Sequence, residues 1–284
     1  KNPHYWNAAL VKITKLVVLG VSEETTAYNL YRTEAVDWSG ENVLPTGMIA
    51  SLRSKSDFYV NTVFGTYYYL FNTKRKPFDD LRVRKALSLA IHRAEIVDKV
   101  AKGGQTPTHR LVPAVLKGYQ PTITPPMPYA SQIEEAKKLL ADAGYPGGKG
   151  FPKVTLKYNT AESHHKIAQA VQQMWKKNLG IEIGLENKEW NVFLKEQSNK
   201  DFDISRQSWM GDIPDPAAML DVFLSGSGNN HTHWGSAAYD ELMRKAAREQ
   251  NSAKRYISYA DAEAIVLKEQ PFMPIYHYTR FGLM

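Results

Sequence analysis

The chain has 284 residues, 43% hydrophobic and 23% charged, with a formal charge of +7, so it is long enough to bury a large core as one big domain or two lobes. Its Lys and Arg residues are scattered among acids, and no basic block or nucleic-acid-binding motif recurs; the charge therefore points to solubility rather than to a nucleic-acid partner. Cysteine is absent, which excludes disulfides, thiolate nucleophiles and thiolate-held metals, and no apolar run approaches the length needed to span a bilayer.

The opening KNPHYWNAALVKITKLVVL has no basic start followed by an apolar export segment. It reads as the middle of a longer protein, a processed or truncated chain. Residues 11–19 are rich in Val, Ile and Leu and are expected to form a strand. A helix is expected from Ser22 to Val36, with Ala27, Leu30 and Tyr31 at helical spacing, and a short one after Pro45. FYVNTVFGTYYYLFN, 58–72, carries a strand load of aromatics and Val interrupted by Gly65, a suitable place for the chain to pass between lobes.

Next, Asp79 or Asp80 is placed to cap a helix whose buried face is Val83, Ala86, Leu87, Ala90 and Ile91, with Arg82, Arg84 and Lys85 mostly off that face. A second helix through Ile96 and Val100 stops at Gly103–Gly104. Residues 105–129 hold six prolines and read as a long irregular connection. Helices at 131–143, 163–178 and 190–198 alternate with strands at 153–159, 180–186 and 202–209. That alternation is α/β with crossovers that favour parallel pairing. The last third is helical at 215–224, 236–249 and 253–268, with a polar loop GSGNNHTHWG between the first two, before a final strand PFMPIYHYTRFGLM.

Catalytic and cofactor motifs are missing. There is no GxSxG, no phosphate-binding or dinucleotide glycine loop, and no HExxH. His231 with His233, and His164 with His165, lack metal-ligand spacing, and no cofactor is implied. Asp212 and Asp215 form a possible carboxylate pair, but GDIPDP also reads as a turn. Trp175 sits four residues after Val171 and reads as helix packing. Tyr67 and Tyr69 share one strand face while Tyr68 points the other way, so one side is available to a cleft. Arg206 within a strand is either at an edge or paired with an anion.

Several stretches together resemble the extracytoplasmic solute-binding proteins of peptide ABC importers, the oligopeptide- and dipeptide-binding family. They are KNPHYWNAA at 1–9, TYYYLFNTKRKPFDDLRVRKALSLAIHRAEIV at 66–97, IEEAKKLLADAGYPGG at 133–148, WKKNLGIEIGLENKEWNVFL at 175–194, and the strand and turn around Trp209 and Asp212. The family's Asp before Arg93 is His92 here. The resemblance implies an α/β fold of the periplasmic-binding-protein type, a type II two-lobed clamp, with mostly the second lobe and part of the first present. Residues 1–62 would belong to lobe I, 63–271 to lobe II, and 272–284 to a return segment.

The function it implies is capture of short peptides and their delivery to membrane permease subunits, by a monomer with no catalysis. The setting is the periplasm, or the outer face of a membrane as a lipoprotein. By position, Asp212 would cap the peptide ammonium beside Trp209, and Arg206 would meet a carboxylate. Tyr68 would face the cleft, His164 would stand near the far end of longer peptides, and Trp190 would line a side-chain pocket. The family's cysteine pair falls at Gly65 and Met210, and a second family arginine at Gln197. Relatives of this fold also bind sugars, nickel and haem-like ligands, and a structural fragment with no ligand binding of its own is a further alternative; Asp212 favours a peptide, because a sugar has no ammonium to neutralise. Family members are longer, so the chain is expected to hold half of a cleft and to expose apolar surface where the other half packs.

Overall fold

The computed structural model describes residues 2–121 and 126–284. The stretch 122–125 of the expected proline-rich connection lies outside the described residues. Two short helices, α1 (Glu24–Arg32) and α2 (Ile49–Leu52), precede the long strand β1 (Phe58–Phe71). Helix α3 (Leu81–Leu89) is capped by Asp80, whose side chain accepts from the amide of Arg82. It is followed by α4 (Arg93–Glu95), capped by His92 and continued as a π-helix to Ala101. A two-residue strand β2 (Thr106–Pro107) and helix α5 (Tyr129–Asp142) lead to β3 (Thr155–Asn159), α6 (Glu162–Leu179), β4 (Gly184–Lys188), α7 (Trp190–Ser198) and β5 (Ile204–Met210). Helices α8 (Ala217–Leu220), α9 (Ala237–Arg248) and α10 (Ser252–Glu269) precede the last strand, β6 (Phe272–Leu283).

One six-stranded sheet has the order β2-β6-β1-β5-β3-β4. It is mixed rather than parallel: β3 runs parallel to β4 and β5, whereas β1 is antiparallel to both β5 and β6. Crossover helices α6 and α7 impose parallel order only where they connect consecutive strands of the sheet. The period-two alternation of β1 divides the core. Tyr67, Tyr69 and Phe71 pack with Val83, Leu87, Leu140 and Trp175 under α3, α5 and α6. Tyr68 and Leu70 face Met219, Phe223, Tyr239, Met243 and Val266 under α8–α10. Trp175 is fully buried and its indole donates to the carbonyl of Leu87 at 2.8 Å.

A third, smaller apolar cluster joins Tyr28, Leu44, Ile49 and Leu52 to Phe281 and Leu283. Strands β1 and β6 run through both regions. The first half of β1 pairs only with the end of β6, and its second half is flanked by β5 and β6. Their ladder breaks between Thr62 and Thr66, and again between Tyr67 and Tyr68, beside Pro274, which has no amide hydrogen to donate.

Two expectations fail. Residues 11–19 form no strand; Ile13, Leu16, Val17 and Val18 lie exposed, Val18 at 80%. Strand propensity creates no strand without a neighbour to take its amides, and none pairs with this segment among the described residues. Arg84, expected off the buried face of α3, is buried. Its guanidinium donates to the carbonyls of Phe78, Glu269 and Gln270, joining the start of α3 to the end of α10. A cation suits that helix end, where carbonyls lack helical partners and the dipole is negative.

Candidate ligand site at the carboxyl ends of the parallel strands

The three parallel strands end on one edge of the sheet, the edge where open α/β folds hold ligands. Asn159 ends β3, and His164 follows in the first turn of α6. Trp190 opens α7 just after β4, and Asp212 lies two residues beyond β5, after Trp209. The expected residues on these strands and helices thus share an edge because each follows its own strand. They do not share an environment.

Arg206 is the most enclosed of them, only 7% exposed. One guanidinium nitrogen donates to the Tyr278 hydroxyl at 2.9 Å and another to Asn159 Oδ1 at 3.3 Å. The Tyr67 ring lies 4.9 Å from Cζ, close enough for cation–π attraction. Tyr67 also stacks on Tyr276 at 4.9 Å and stands 5.6 Å from His164. All the partners of Arg206 are neutral, its Nε has none, and it makes no ion pair among the described residues. A buried cation held only by dipoles and a ring is costly, and an arriving carboxylate offsets that cost with a two-pronged match. Burial, with the Arg206 charge adding to it, pulls the His164 imidazole well below its ordinary value, so it stands neutral beside the arginine. Its Nδ1 has no hydrogen-bond partner.

Tyr68, expected in the cleft, is a core residue instead. It is fully buried between Phe223 and Phe272 on the opposite face from Arg206. The parity of β1 puts Tyr67, not Tyr68, on the site side. Asp212 is exposed on the turn after β5, so the expected desolvated crevice around it is not formed by the described residues. Among the described residues none pairs with it by hydrogen bond or ion pair. Asp215 is committed elsewhere: it accepts from the Ala217 amide and binds Arg255 at 2.6 Å, so the two acids are not a matched pair.

Trp209 is half-buried, anchored by its indole donating to the Ala218 carbonyl at 2.6 Å, and this fixes the turn that carries Asp212. Trp190 is 49% exposed and stacks on Phe193. Gln197 is buried and donates to Ser205 Oγ and the Arg206 carbonyl, supporting the strand beneath the arginine. Gly65 and Met210 face each other across β1 and β5. Among the described residues no group of three or more His, Asp or Glu side chains is arranged to hold a metal.

Sequence reasoning missed Asn159, Tyr276 and Tyr278. The signal was present in YHY at 276–278, whose alternation puts two tyrosines on one face, but it was masked by large apolar neighbours on both sides.

Residues 1–231 match the family model described as bacterial extracellular solute-binding proteins, family 5, middle. The chain belongs to this family. It is 35% identical over 285 residues to the oligopeptide-binding protein OppA of Bacillus subtilis, covering 98% of this chain and 52% of that protein. It is 36% identical to the periplasmic murein peptide-binding protein MppA of Escherichia coli, covering 100% and 53%. The solved complex of Haemophilus influenzae OppA with RPPGFSPFR superimposes with a TM-score of 0.88 at 33% identity, over 94% of this chain and 53% of that one. The family 5 chain therefore has the α/β fold of the periplasmic peptide-binding proteins and spans about half the length of the relatives it matches.

Proposed function

We propose that this family 5 chain is the ligand-facing portion of the solute-binding component of a peptide ABC importer. It captures short peptides and presents them to the membrane permease subunits as a monomer, in the periplasm or, as a lipoprotein, on the extracytoplasmic face. It binds and does not catalyse. Residues 1–62 and 272–284 belong to lobe I and residues 63–271 to lobe II. The separate apolar cluster of Tyr28, Leu44, Ile49, Leu52, Phe281 and Leu283 supports that division for the far end of β6, while Phe272, Met273, Ile275 and Tyr276 pack in the two larger clusters.

The observation that carries the reading is Arg206, a buried guanidinium with neutral partners only. In this reading it receives a peptide carboxylate, His164 stands beside it, and Asp212 meets the ammonium with Trp209 alongside. Trp190 offers an aromatic wall to a side chain. Hydrogen bonds to an extended peptide backbone then give sequence-tolerant affinity. The complex of Haemophilus influenzae OppA with RPPGFSPFR supports a peptide as the ligand class.

The test is calorimetry of the protein and of Asp212→Asn against a short peptide and its N-acetylated form. The variant is expected to lose affinity for the free-amine peptide, by about 2–5 kcal/mol if the carboxylate is desolvated on binding, and to bind the acetylated peptide as before. Equal losses for both peptides remove Asp212 from the ammonium end.

A further inference from the structure

A cavity of about 250 Å³ lies between α1 and residues 42–46 on one side and the start of α6 and strand β6 on the other. Glu24, Gln105, His164, Tyr276 and Tyr278 contribute to its wall. It is smaller than the roughly 300–1,000 Å³ of a pocket that encloses a whole small ligand, which suits a single side chain. Tyr278 is shared with the arginine site, since its hydroxyl accepts from Arg206. A peptide whose last carboxylate meets Arg206 therefore has its last side chain next to this cavity.

The polar wall has a definite sense. Glu24 is 6% exposed, and among the described residues it makes no ion pair and its Oε2 has no hydrogen-bond partner. Gln105 Oε1 is likewise without a partner. Both are acceptors, and both call for a donor. The lysine that acts on it is already engaged: Lys166 Nζ donates to Glu162 and Thr46. Burial first and Glu162 second raise the Glu24 carboxyl above the ordinary carboxylate range, and Lys166 and Ser163 offset this only in part. His164 is neutral and does not repel one. The tyrosines supply apolar surface for a methylene stem and π faces for a charged tip.

We infer that this cavity is a side-chain subsite for a basic residue, lysine or arginine, at the carboxyl end of a bound peptide, with Glu24 as the counter-charge and Gln105 as a second acceptor. The inference rests on the peptide reading above and adds to it a preference at one position. It needs no movement of Asp212 and no cofactor.

The experiment compares Ala-Ala-Lys with Ala-Ala-norleucine, equal in stem length but without the ammonium, by calorimetry on the protein, on Glu24→Gln and on Gln105→Met. The unaltered protein is expected to favour the lysine peptide by at least about tenfold, as a desolvated charge pair does. Glu24→Gln should reduce that preference below about threefold while leaving norleucine-peptide affinity unchanged, which also shows that the variant is folded. Gln105→Met should reduce it by less. If the unaltered protein binds both peptides equally, or Glu24→Gln keeps the full preference, the subsite is overturned and the peptide reading stands. If neither peptide binds, both are overturned.

Discussion

Arg206 and Asp212 are six residues apart at the end of one strand, carry opposite charges, and live in opposite surroundings. The arginine is walled by Tyr67, Asn159 and Tyr278, from three different strands. The aspartate stands on a turn in solvent with no partner among the described residues. The first half-site is preorganised, because its neighbours are ordered by the core before any ligand arrives. The second has only its tether, the Trp209 indole bonded to Ala218, and its strength depends on whatever surface covers it.

The largest effect that sharpens this contrast is expected from Arg206→Met. It should weaken binding of a free-carboxylate peptide by about 2–5 kcal/mol and leave a C-terminally amidated peptide nearly unaffected. It should not lower thermal stability, since it removes a buried cation with no counter-ion. A fall in melting temperature with unchanged peptide affinity would make Arg206 a structural residue and erase the contrast.

Next in size is a staple at the loose end. Gly65 and Met210 are opposite each other, and the amide of Gly211 donates to the carbonyl of Phe64 at 2.8 Å, which makes the pair a non-hydrogen-bonded one. Such pairs bring Cα atoms closest and suit a bridge. Gly65→Cys with Met210→Cys should form a disulfide under oxidising conditions and raise stability by about 2–4 kcal/mol, read as the difference between oxidised and reduced denaturation midpoints. No difference would mean that this end of the sheet is already as fixed as the arginine end.

The smallest effect is in pH. On the opposite face of β6 from Tyr276 and Tyr278, His277 is buried, with Thr66 Oγ1 2.9 Å from Nδ1. Burial first, and the charge of Arg110 second, depress its pKa to about 3 from the ordinary 6.5. The folded state thus binds this proton less readily than the unfolded chain. Its contribution is intact above about pH 6.5 and is lost as pH falls from there towards 3, by roughly 1 kcal/mol over the first unit. Burial depresses His109 and His164 as well, so the difference between the protein and His277→Asn, in urea denaturation at pH 7 and pH 5.5, measures it, and the variant should have the shallower slope.

How far the sequence reached follows from what each element depends on. The helices and the central strands were readable, because Val83 to Ile91 and the run TYYYLF carry their own periodicity. Residues 11–19 misled, since a strand is a property of two chains of atoms and only one is within reach there. Tyr68 misled through parity: alternation tells which residues share a face, not which face meets a ligand. The site behind Arg206 was only half visible. A lone strand arginine flagged an anion, but Asn159 and Tyr278 come from distant segments brought there by sheet order β6-β1-β5-β3. No local pattern encodes such a meeting, and Glu24, an ordinary first-turn acid of α1, had no local signal at all.

The broken ladder between β1 and β6 has a mechanical consequence. A two-stranded ribbon carries the polypeptide from the large body into the small one, and opposite Thr62–Thr66 its rungs fall out of step. Flexing there stretches fewer bonds than flexing anywhere along the flanked half of β1. Any swing of the minor body is thus steered about this break, which carries α1 and its acid relative to the arginine and places Tyr278, between the partners of Thr62 and Thr66, at the pivot itself.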